Sequence, residues 1–444
     1  MTAQRILVSM VATLAVVRAG WAQTYPLAET PQAGDCSRIH LEMHLSGEMN
    51  VNKEGKPVSL KLEARATHDY PERILQVSSD GLAERAARVY ETAQAVITVD
   101  KEPVHRTLRA ERRLLVAQRT RDRLVVFSPA GPLTREELEL TGEHFDTLAV
   151  PGLLPGRAVS VGETWKVPNA IAQALCNFEG LVEQTLVCKL EEVKDQAARV
   201  AVTGKATGID LGALAKLSVE ASYYYDLTTK RLTRLEWKQK DERDQGPVSP
   251  ATSVQTTVTL TRTSIDRPAT LSDVALVSVP DGSEPATQLT QLEYHDAKGR
   301  FDMLYGREWQ AVSQGDEHVV MRLLDRGDFV AQLTLTPWTQ AEKGKHLTPD
   351  EFRQAMADTP GWDPDDELQA GEVPAEGGRW IYRISALGEL DEVKVMQNFY
   401  LVAGPEGQQV VLAFTMPPKQ ADRLGTRDLS IAASIDFPGA RPGK

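Results

Sequence analysis

The sequence predicts an α+β protein of two domains, in which an antiparallel β-rich domain with helices comes first. Three observations predict this fold class. Apolar and polar residues alternate over many short segments, a few capped segments have helical spacing, and one proline-rich stretch divides the chain. The 444 residues also exceed the roughly 250–300 at which a single hydrophobic core stops growing.

The first 22 residues have the layout of a secretory signal peptide. Arg5 precedes an apolar run from Ile6 to Val17, and the small residues Gly20 and Ala22 follow it. The run is too short for a bilayer core, which needs about 20 residues. We therefore expect cleavage after Ala22, no transmembrane segment in the mature chain, and a location in the periplasm or outside the cell.

The charge is distributed unevenly along the chain. The net charge is −12, to which residues 1–22 contribute +2 through Arg5 and Arg18, residues 23–266 contribute −3 and residues 267–444 contribute −11. A strongly acidic half repels polyanions, so we expect no nucleic-acid partner.

Residues 38–265 are predicted to form a curved antiparallel sheet with helices. Ile39–Leu45 and Val58–Ala66 alternate apolar with polar residues, and the turn between them is expected at 54–56. Further strands are expected at 95–99, 113–117, 124–127, 185–193, 198–204, 221–227, 231–239 and 253–263. Ser79 and Asp80 can cap a helix that continues to Ala93. Thr134 and Glu137 have the spacing of a capping box that opens a helix through Phe145.

Residues 266–288 are predicted to be the linker between the domains, because they contain three prolines and few bulky residues. The second domain is expected at 289–437. Its strands are expected at 291–296, from 301, and at 319–324, 329–336, 380–387, 394–402 and 409–414. Thr348, Pro349 and Glu351 predict a capped helix, and a closing helix is expected from Ala421 to Ile435.

From about 291 to 437, the order of these elements resembles the PsbP-like αβα sandwich shared with DcrB-type exported bacterial proteins. The resemblance lies in Gly299–Tyr305 leading to Trp309, the strand segment Gly327–Leu335, the capped helix, a long hairpin and the C-terminal helix. The first half is similar to planctomycete secreted proteins of undefined role and, more distantly, to LolA-type lipoprotein carriers. The PsbP-like resemblance implies an interaction or assembly module, not an enzyme. A fold alone does not fix function.

One strand face carries three potential metal ligands, His40, Glu42 and His44. They could meet one metal ion if a fourth ligand came from a neighbouring strand. The exposed face of a half-buried strand is polar in any case, so we expect no metal there.

The three cysteines of an exported chain suggest one disulfide and one free thiol. Cys176 and Cys188 are close in sequence and could link the end of a short helix to the next strand. Pairing of Cys36 with either of them, or three reduced thiols, remain alternatives. No CxxC spacing supports a redox or zinc motif.

Seven arginines between residues 106 and 123 form the most basic segment of the chain: Arg106, Arg109, Arg112, Arg113, Arg119, Arg121 and Arg123. They are candidates for an anionic ligand such as a lipid head group or an acidic polysaccharide. Pairing with acidic side chains of the same chain is the favoured alternative. A second charged group, at 363–367, is expected to be a solvated loop because it lacks the spacing of a calcium-binding loop.

The sequence contains no GxSxG motif and no other recognised nucleophile motif. We therefore expect an exported, non-catalytic binding or assembly protein without a cofactor, whose partner is an envelope protein or a lipid. One alternative is a lipid or lipoprotein carrier with an apolar cleft in the first sheet. Another is a hydrolase, which would need a cleft with convergent titratable groups.

Export can be tested on the mature protein. N-terminal sequencing of secreted material should begin at Gln23, because the small residue Ala22 precedes the expected cleavage site. Mature protein that retains Met1, or protein confined to the cytoplasm, would contradict the signal peptide.

Overall fold

The structure, a computed structural model, describes residues 23–438 apart from 54–55, 121–123, 143–144 and 283–284. The expected signal peptide, part of the 54–56 turn, Arg121 and Arg123 lie outside the described residues.

The strands that build the first half are β1 Thr24–Leu27, β2 Cys36–Lys53, β3 Lys56–Val77, β4 Ala83–Val89, β5 Thr92–Val99, β6 Glu102–Thr107, β7 Leu114–Arg119, β8 Leu124–Phe127, β9 Arg157–Ser160, β10 Thr164–Lys166, β11 Gly180–Gln184, β12 Val187–Lys194, β13 Ala197–Asp210, β14 Ala213–Asp226, β15 Arg231–Arg243 and β16 Ala251–Ser264. Those of the second half are β17 Leu292–His295, β18 Asp302–Tyr305, β19 Trp309–Gln314, β20 Val319–Asp325, β21 Asp328–Trp338, β22 Trp362–Val373, β23 Trp380–Leu390, β24 Val393–Ala403 and β25 Gln409–Met416. The α-helices are α1 Arg135–Gly142, α2 Asn169–Leu175, α3 Thr287–Thr290, α4 Pro349–Ala357, α5 Ala421–Leu424 and α6 Arg427–Ser434. The described residues form mostly antiparallel β-sheet with a few short helices, which agrees in part with the predicted α+β class.

The first sheet contains 14 antiparallel strands in the order β10-β12-β13-β14-β15-β16-β2-β3-β4-β7-β8, with β11 on β13. Beyond β3 the sheet divides in two, because residues 62–69 of β3 pair with β5 and residues 72–77 pair with β4. Strand β6 then follows β5. The predicted alternation of β2 and β3 is confirmed by their continuous antiparallel pairing from Cys36 to Lys53.

The paired strands β2 and β16 approach each other closely at Gly47. At Gly47 a Cβ atom would lie 2.2 Å from the carbonyl oxygen of Ser253, so any larger residue would force the two strands apart. We call the face that packs against α1 and α2 the inner face. Leu138 and Leu140 of α1 and Ile171 of α2 share its hydrophobic core with Leu41 of β2.

The helix predicted from Ser79 to Ala93 is wrong, because this segment forms β4 and the start of β5. In β4 four consecutive residues, Arg85 to Arg88, are buried. Both faces of the strand are covered, so apolar and polar residues do not alternate, and the remaining pattern mimics helical spacing.

The outer face of β4 is covered by the segment predicted to be the linker. Leu271 and Leu276 pack against Ala87, and the Arg85 guanidinium donates hydrogen bonds to the carbonyl oxygens of Pro280 at 2.6 Å and Gly282 at 3.1 Å. This part of the segment is therefore attached to the first sheet, and the two-domain division stays a prediction.

The second sheet is antiparallel with the order β19-β20-β21-β25-β24-β23-β22. Helix α4 begins with the predicted capping box between Thr348 and Glu351. Its Phe352 packs with Tyr382 and Phe399 on one face of the sheet.

The opposite face of the second sheet packs against α5 and α6, the two parts into which Gly425 divides the expected C-terminal helix. Here Asn398 and Tyr400 of β24 donate hydrogen bonds to the buried carboxylate of Asp428, at 2.7 and 2.9 Å. These bonds hold α6 against the sheet.

The segment 363–367, expected to be a loop, lies in the edge strand β22. Its pairing with β23 is interrupted by two register shifts, between Pro364 and Asp366 and between Glu367 and Gln369. Its acidic side chains are exposed, and Arg353 of α4 lies 2.7 Å from Glu367.

The two sheets share one hydrophobic core and several hydrogen bonds. The buried guanidinium of Arg135, in α1, donates to the carbonyl oxygens of Arg307 at 2.7 Å and Trp309 at 3.0 Å. Arg307 in turn donates to the carbonyl oxygen of Val126 at 2.7 Å. Among the described residues, no helix is long and apolar enough to cross a membrane.

Replacing Arg135 with Met should lower the free energy of unfolding by about 2–4 kcal/mol, because two buried carbonyl oxygens lose a charged donor. Urea denaturation measures the change. Arg234→Met, on the exposed side of β15, is the control and should change stability by about 0.5 kcal/mol or less. Equal stability of both variants would show that Arg135 does not join the two sheets.

Candidate functional site

The three metal-ligand candidates lie on β2. His40 Nδ1 is 3.3 Å from Asp69 Oδ2, and His40 Nε2 is 3.4 Å from Glu42 Oε1, while His44 is exposed. Within the described ranges, no group of three His, Cys, Asp or Glu side chains is placed to hold a metal ion. Polar contacts along a solvated strand face account for His40 and Glu42.

The predicted disulfide between Cys176 and Cys188 is absent from this structure, in which Cys36, Cys176 and Cys188 are buried free thiols. Cys176 ends α2, and the Cys188 Sγ donates to the carbonyl oxygen of Leu153 at 3.6 Å. Burial raises the pKa of both the Cys176 and the Cys188 thiol to about 12. Thiols with such pKa values are weak nucleophiles. The Cys176–Cys188 pairing in secreted protein stays a prediction.

Among the described members of the arginine run, Arg109 has the shortest ion pairs. Its Nε lies 2.6 Å from Glu137 Oε1, and its Nη2 lies 2.5 Å from Glu293 Oε1. Burial alone would raise the pKa of Glu137, but hydrogen bonds from Arg109 and Thr134 outweigh it and lower this pKa. Arg109 therefore links α1 to the acidic second half of the chain.

The neighbouring arginines also contact the same chain. Arg106 Nη2 lies 3.8 Å from Glu136, and Arg119 Nη1 lies 3.4 Å from the buried Asp146. The Arg112 guanidinium donates to the carbonyl oxygens of Pro132 at 2.9 Å and Ala130 at 3.1 Å. These contacts leave Arg109, Arg112 and Arg119 little freedom to bind an external anion.

Arg113 is the exposed member of the run within the described residues. It lines a cavity of about 180 Å³ together with Tyr90, Glu91 and Leu108. The cavity wall thus carries one positive side chain, Arg113, and one negative side chain, Glu91. Glu91 Oε1 also accepts a hydrogen bond from Arg38 at 2.8 Å. An anionic ligand of this run would depend on Arg113.

The inner face of the first sheet has a part that α1 and α2 do not cover. Phe145 contacts Trp237 at the base, and Phe178 packs over Gly208 on the side of β13. Beyond them, ten apolar side chains of β2, β3, β5 and β6 are half-buried or exposed and belong to no hydrophobic cluster of the described residues. They are Leu45, Met49, Val51, Val58, Leu60, Leu62, Ala64, Ile97, Val99 and Val104. We call this set the apolar wall.

The strand register places these side chains in rows. Leu45 pairs with Ala64, Ala64 with Ile97, and Ile97 with Val104. Leu60 and Leu62 continue the same face of β3, with Leu62 opposite Val99. Because side chains alternate along a strand, all of them share the face of the core residue Leu41.

On β15 the side chains that share the face of the apolar wall are polar, and we call them the polar string. Gln239, Asp241 and Arg243 follow the buried Trp237 at intervals of two residues, and the Trp237 Nε1 donates to Gln239 Oε1 at 2.8 Å. Arg243 Nη1 lies 2.6 Å from Asp210 Oδ2. Asp241 is opposite Val254 of β16, which is opposite Gly47 of β2.

The base of the inner face is filled by a buried ion pair. Arg88 Nε lies 2.9 Å from Glu72 Oε2, and its Nη2 donates to Thr147 Oγ1 at 2.8 Å. The cavity beside Tyr70 and Arg88 has a volume of only about 10 Å³. It is close to the minimum for one water molecule, so a larger ligand would have to bind higher on the face.

The alternation of β2 and β3 was evident in the sequence, but the functional candidates on β15 were not. Asp241 lies among charged neighbours, from Lys238 to Arg243, in which nothing distinguishes it. Only the pairing of β15 with β16 and of β16 with β2 brings it to the apolar wall.

Arg109→Gln should lower the free energy of unfolding by about 2 kcal/mol at pH 7, because the buried Glu137 loses its charged partner. The pKa of Glu137 is lowered in the folded protein, so its contribution is complete above the unfolded pKa of about 4.3 and is lost as the pH falls through the folded value. The difference between wild type and variant should therefore narrow below about pH 4, as measured by urea denaturation.

The matched control is Arg106→Gln, whose longer and half-exposed contact with Glu136 should contribute less than about 1 kcal/mol. Unchanged stability of Arg109→Gln at pH 7, with loss of binding to anionic vesicles, would assign Arg109 to an external ligand instead.

No protein-family model matches the chain, and no curated protein matches it. Among solved structures, the chain is similar to cyanobacterial PsbP from Synechocystis sp., with 15% identity over 36% of this chain and 97% of that chain and a TM-score of 0.26. It is similar to the Ran-binding protein Mog1p of Saccharomyces cerevisiae, with 12% identity over 33% of this chain and 95% of that chain and a TM-score of 0.27. A structure on lipid–protein interactions in lipovitellin matches 54% of this chain and 26% of that chain, with 9% identity and a TM-score of 0.28. These likenesses are too distant to bear on function.

Proposed function

We propose that this protein is an exported, non-catalytic binding protein of the cell envelope, and that its ligand contains a long apolar chain such as a lipid acyl chain. The apolar wall of the first sheet is the proposed site. The observation that supports it is that these apolar side chains, which are half-buried or exposed, belong to no hydrophobic cluster in the described part of the chain.

The dimensions of the wall suit an acyl chain. From Leu45 to Val51 the wall extends about 20 Å along β2, and from β2 to β6 it extends about 14 Å across the strands. An exposed apolar patch of about 300 Å² on a soluble monomer is often a binding site. Each methylene group that leaves water on this surface contributes about 0.8 kcal/mol to binding.

The charged side chains below the wall support binding over catalysis. Glu72 is paired with Arg88, and Glu29 is paired with Arg262, at 2.9 and 2.8 Å. Glu72 and Glu29 are thus each neutralised by a guanidinium and are poor general bases. A hydrolase would need an unpaired nucleophile or base beside a cavity for its substrate.

For the second half we propose the PsbP-like αβα arrangement, as a separate domain that contacts a protein partner. Its support is the position of α4 on one face of the second sheet and of α5 and α6 on the other. The Arg135 contacts to Arg307 and Trp309 would then fix this domain beside the binding sheet.

Replacing Leu60 and Leu62 with Ser should weaken binding of a pyrene-labelled hexadecanol, whose head group is uncharged, by about tenfold or more, because two apolar contacts are lost. Fluorescence titration of the mature protein measures the affinity. Since both side chains lie outside the core, the melting temperature should change little.

Val96→Ser is the matched control, because Val96 is 38% exposed on the opposite face of the same sheet. It should bind the probe with wild-type affinity. A wild-type protein that does not bind the probe, or a double variant that binds it equally well, would overturn the proposed function.

A further inference from the structure

The polar string beside the apolar wall contains one carboxylate oxygen without a partner. Asp241 Oδ1 is buried, and no hydrogen bond reaches it from the described residues. Its neighbours are already engaged, since Arg243 binds Asp210 at 2.6 Å and the Gln239 Oε1 accepts from Trp237 at 2.8 Å. A buried polar atom without a partner destabilises the protein, and a donor that binds to it removes this cost.

The charges around Asp241 favour a cation. Burial and the nearby Asp210 raise the pKa of Asp241 to about 6, although Arg243 opposes the shift. Asp241 is therefore mostly ionised at pH 7. On this part of the face, two carboxylates, Asp210 and Asp241, are balanced by one guanidinium, that of Arg243. An anionic head group would be repelled here, and a positively charged donor would be attracted.

The register connects this carboxylate to the apolar wall. Asp241, Val254, Gly47 and Leu62 stand opposite one another on β15, β16, β2 and β3. Three strand spacings, about 14 Å, separate Asp241 from Leu62. Between them lie only a valine and a glycine, so no charged side chain interrupts the path from the carboxylate to the wall.

We propose that the ligand is an amphiphile with a protonated amine head group, which donates hydrogen bonds to the Asp241 carboxylate while its alkyl chain lies across β16 on the apolar wall. This inference rests on the proposed function and specifies the head group of its ligand. Asp241 binds the head group, the alkyl chain passes the uncharged Val254 and Gly47, and Leu60 and Leu62 contact the chain.

The test compares three dodecyl compounds that differ in the head group: dodecylamine, dodecanol and dodecanoate. Each is titrated at pH 7.5 against the mature protein loaded with the uncharged pyrene-labelled hexadecanol, and displacement gives its affinity. Wild-type protein should bind dodecylamine at least tenfold more tightly than dodecanoate. In Asp241→Asn this preference should fall below about threefold, while the affinity for dodecanol stays unchanged.

Glu242→Gln is the matched control, because the exposed Glu242 points to the opposite face of β15 and lies 2.9 Å from Lys240. It should keep the wild-type preference for the amine. Dodecanol binding without any preference for dodecylamine, or a preference that survives in Asp241→Asn, would overturn the head-group inference alone. Failure of the pyrene probe and of all three compounds to bind would overturn the proposed function with it.

Discussion

The register of β2 between β16 and β3 is the constraint on which the other features of the first half depend. Each strand of this trio has alternating side chains, so a slip of one residue would turn Leu41 and Leu45 outward and bring His40 and Glu42 into the core. The close approach at Gly47 leaves no room for a side chain between β2 and β16. This pairing determines on which face of the sheet the core residues, the apolar wall and the polar string of β15 lie.

The sequence predicted what is local and failed where burial comes from distant segments. The alternation of β2 and β3 and the capping box at Thr348 each depend on a few neighbouring residues, and both are confirmed. The helix expected through Ala93 is wrong because residues 271–276 cover the second face of β4, and their distance along the chain hides this contact. For the same reason the position of Asp241 beside the apolar wall could not be predicted from the sequence, because it depends on the pairing of β15 with β16 and of β16 with β2.

The uneven distribution of charge has a structural counterpart. The first half contains the basic segment, the second half contains most of the net negative charge, and Arg109 bonds to Glu293 across the division. Together with Arg135, this pair explains why an arginine-rich segment occurs in an acidic chain without requiring a polyanionic ligand. Ion pairs with one buried partner orient the segments they join more than they stabilise them.

The acidic segment of β22 has a consequence for how copies of the protein meet one another. An edge strand offers unpaired backbone groups to any other strand, and a regular, apolar edge invites end-to-end growth into fibres. In β22, Pro364 lacks an N–H group, two register shifts twist the strand, and exposed carboxylates repel the same edge of a second molecule. The second sheet thus ends at a strand whose irregular, charged edge opposes pairing with the same edge of another copy.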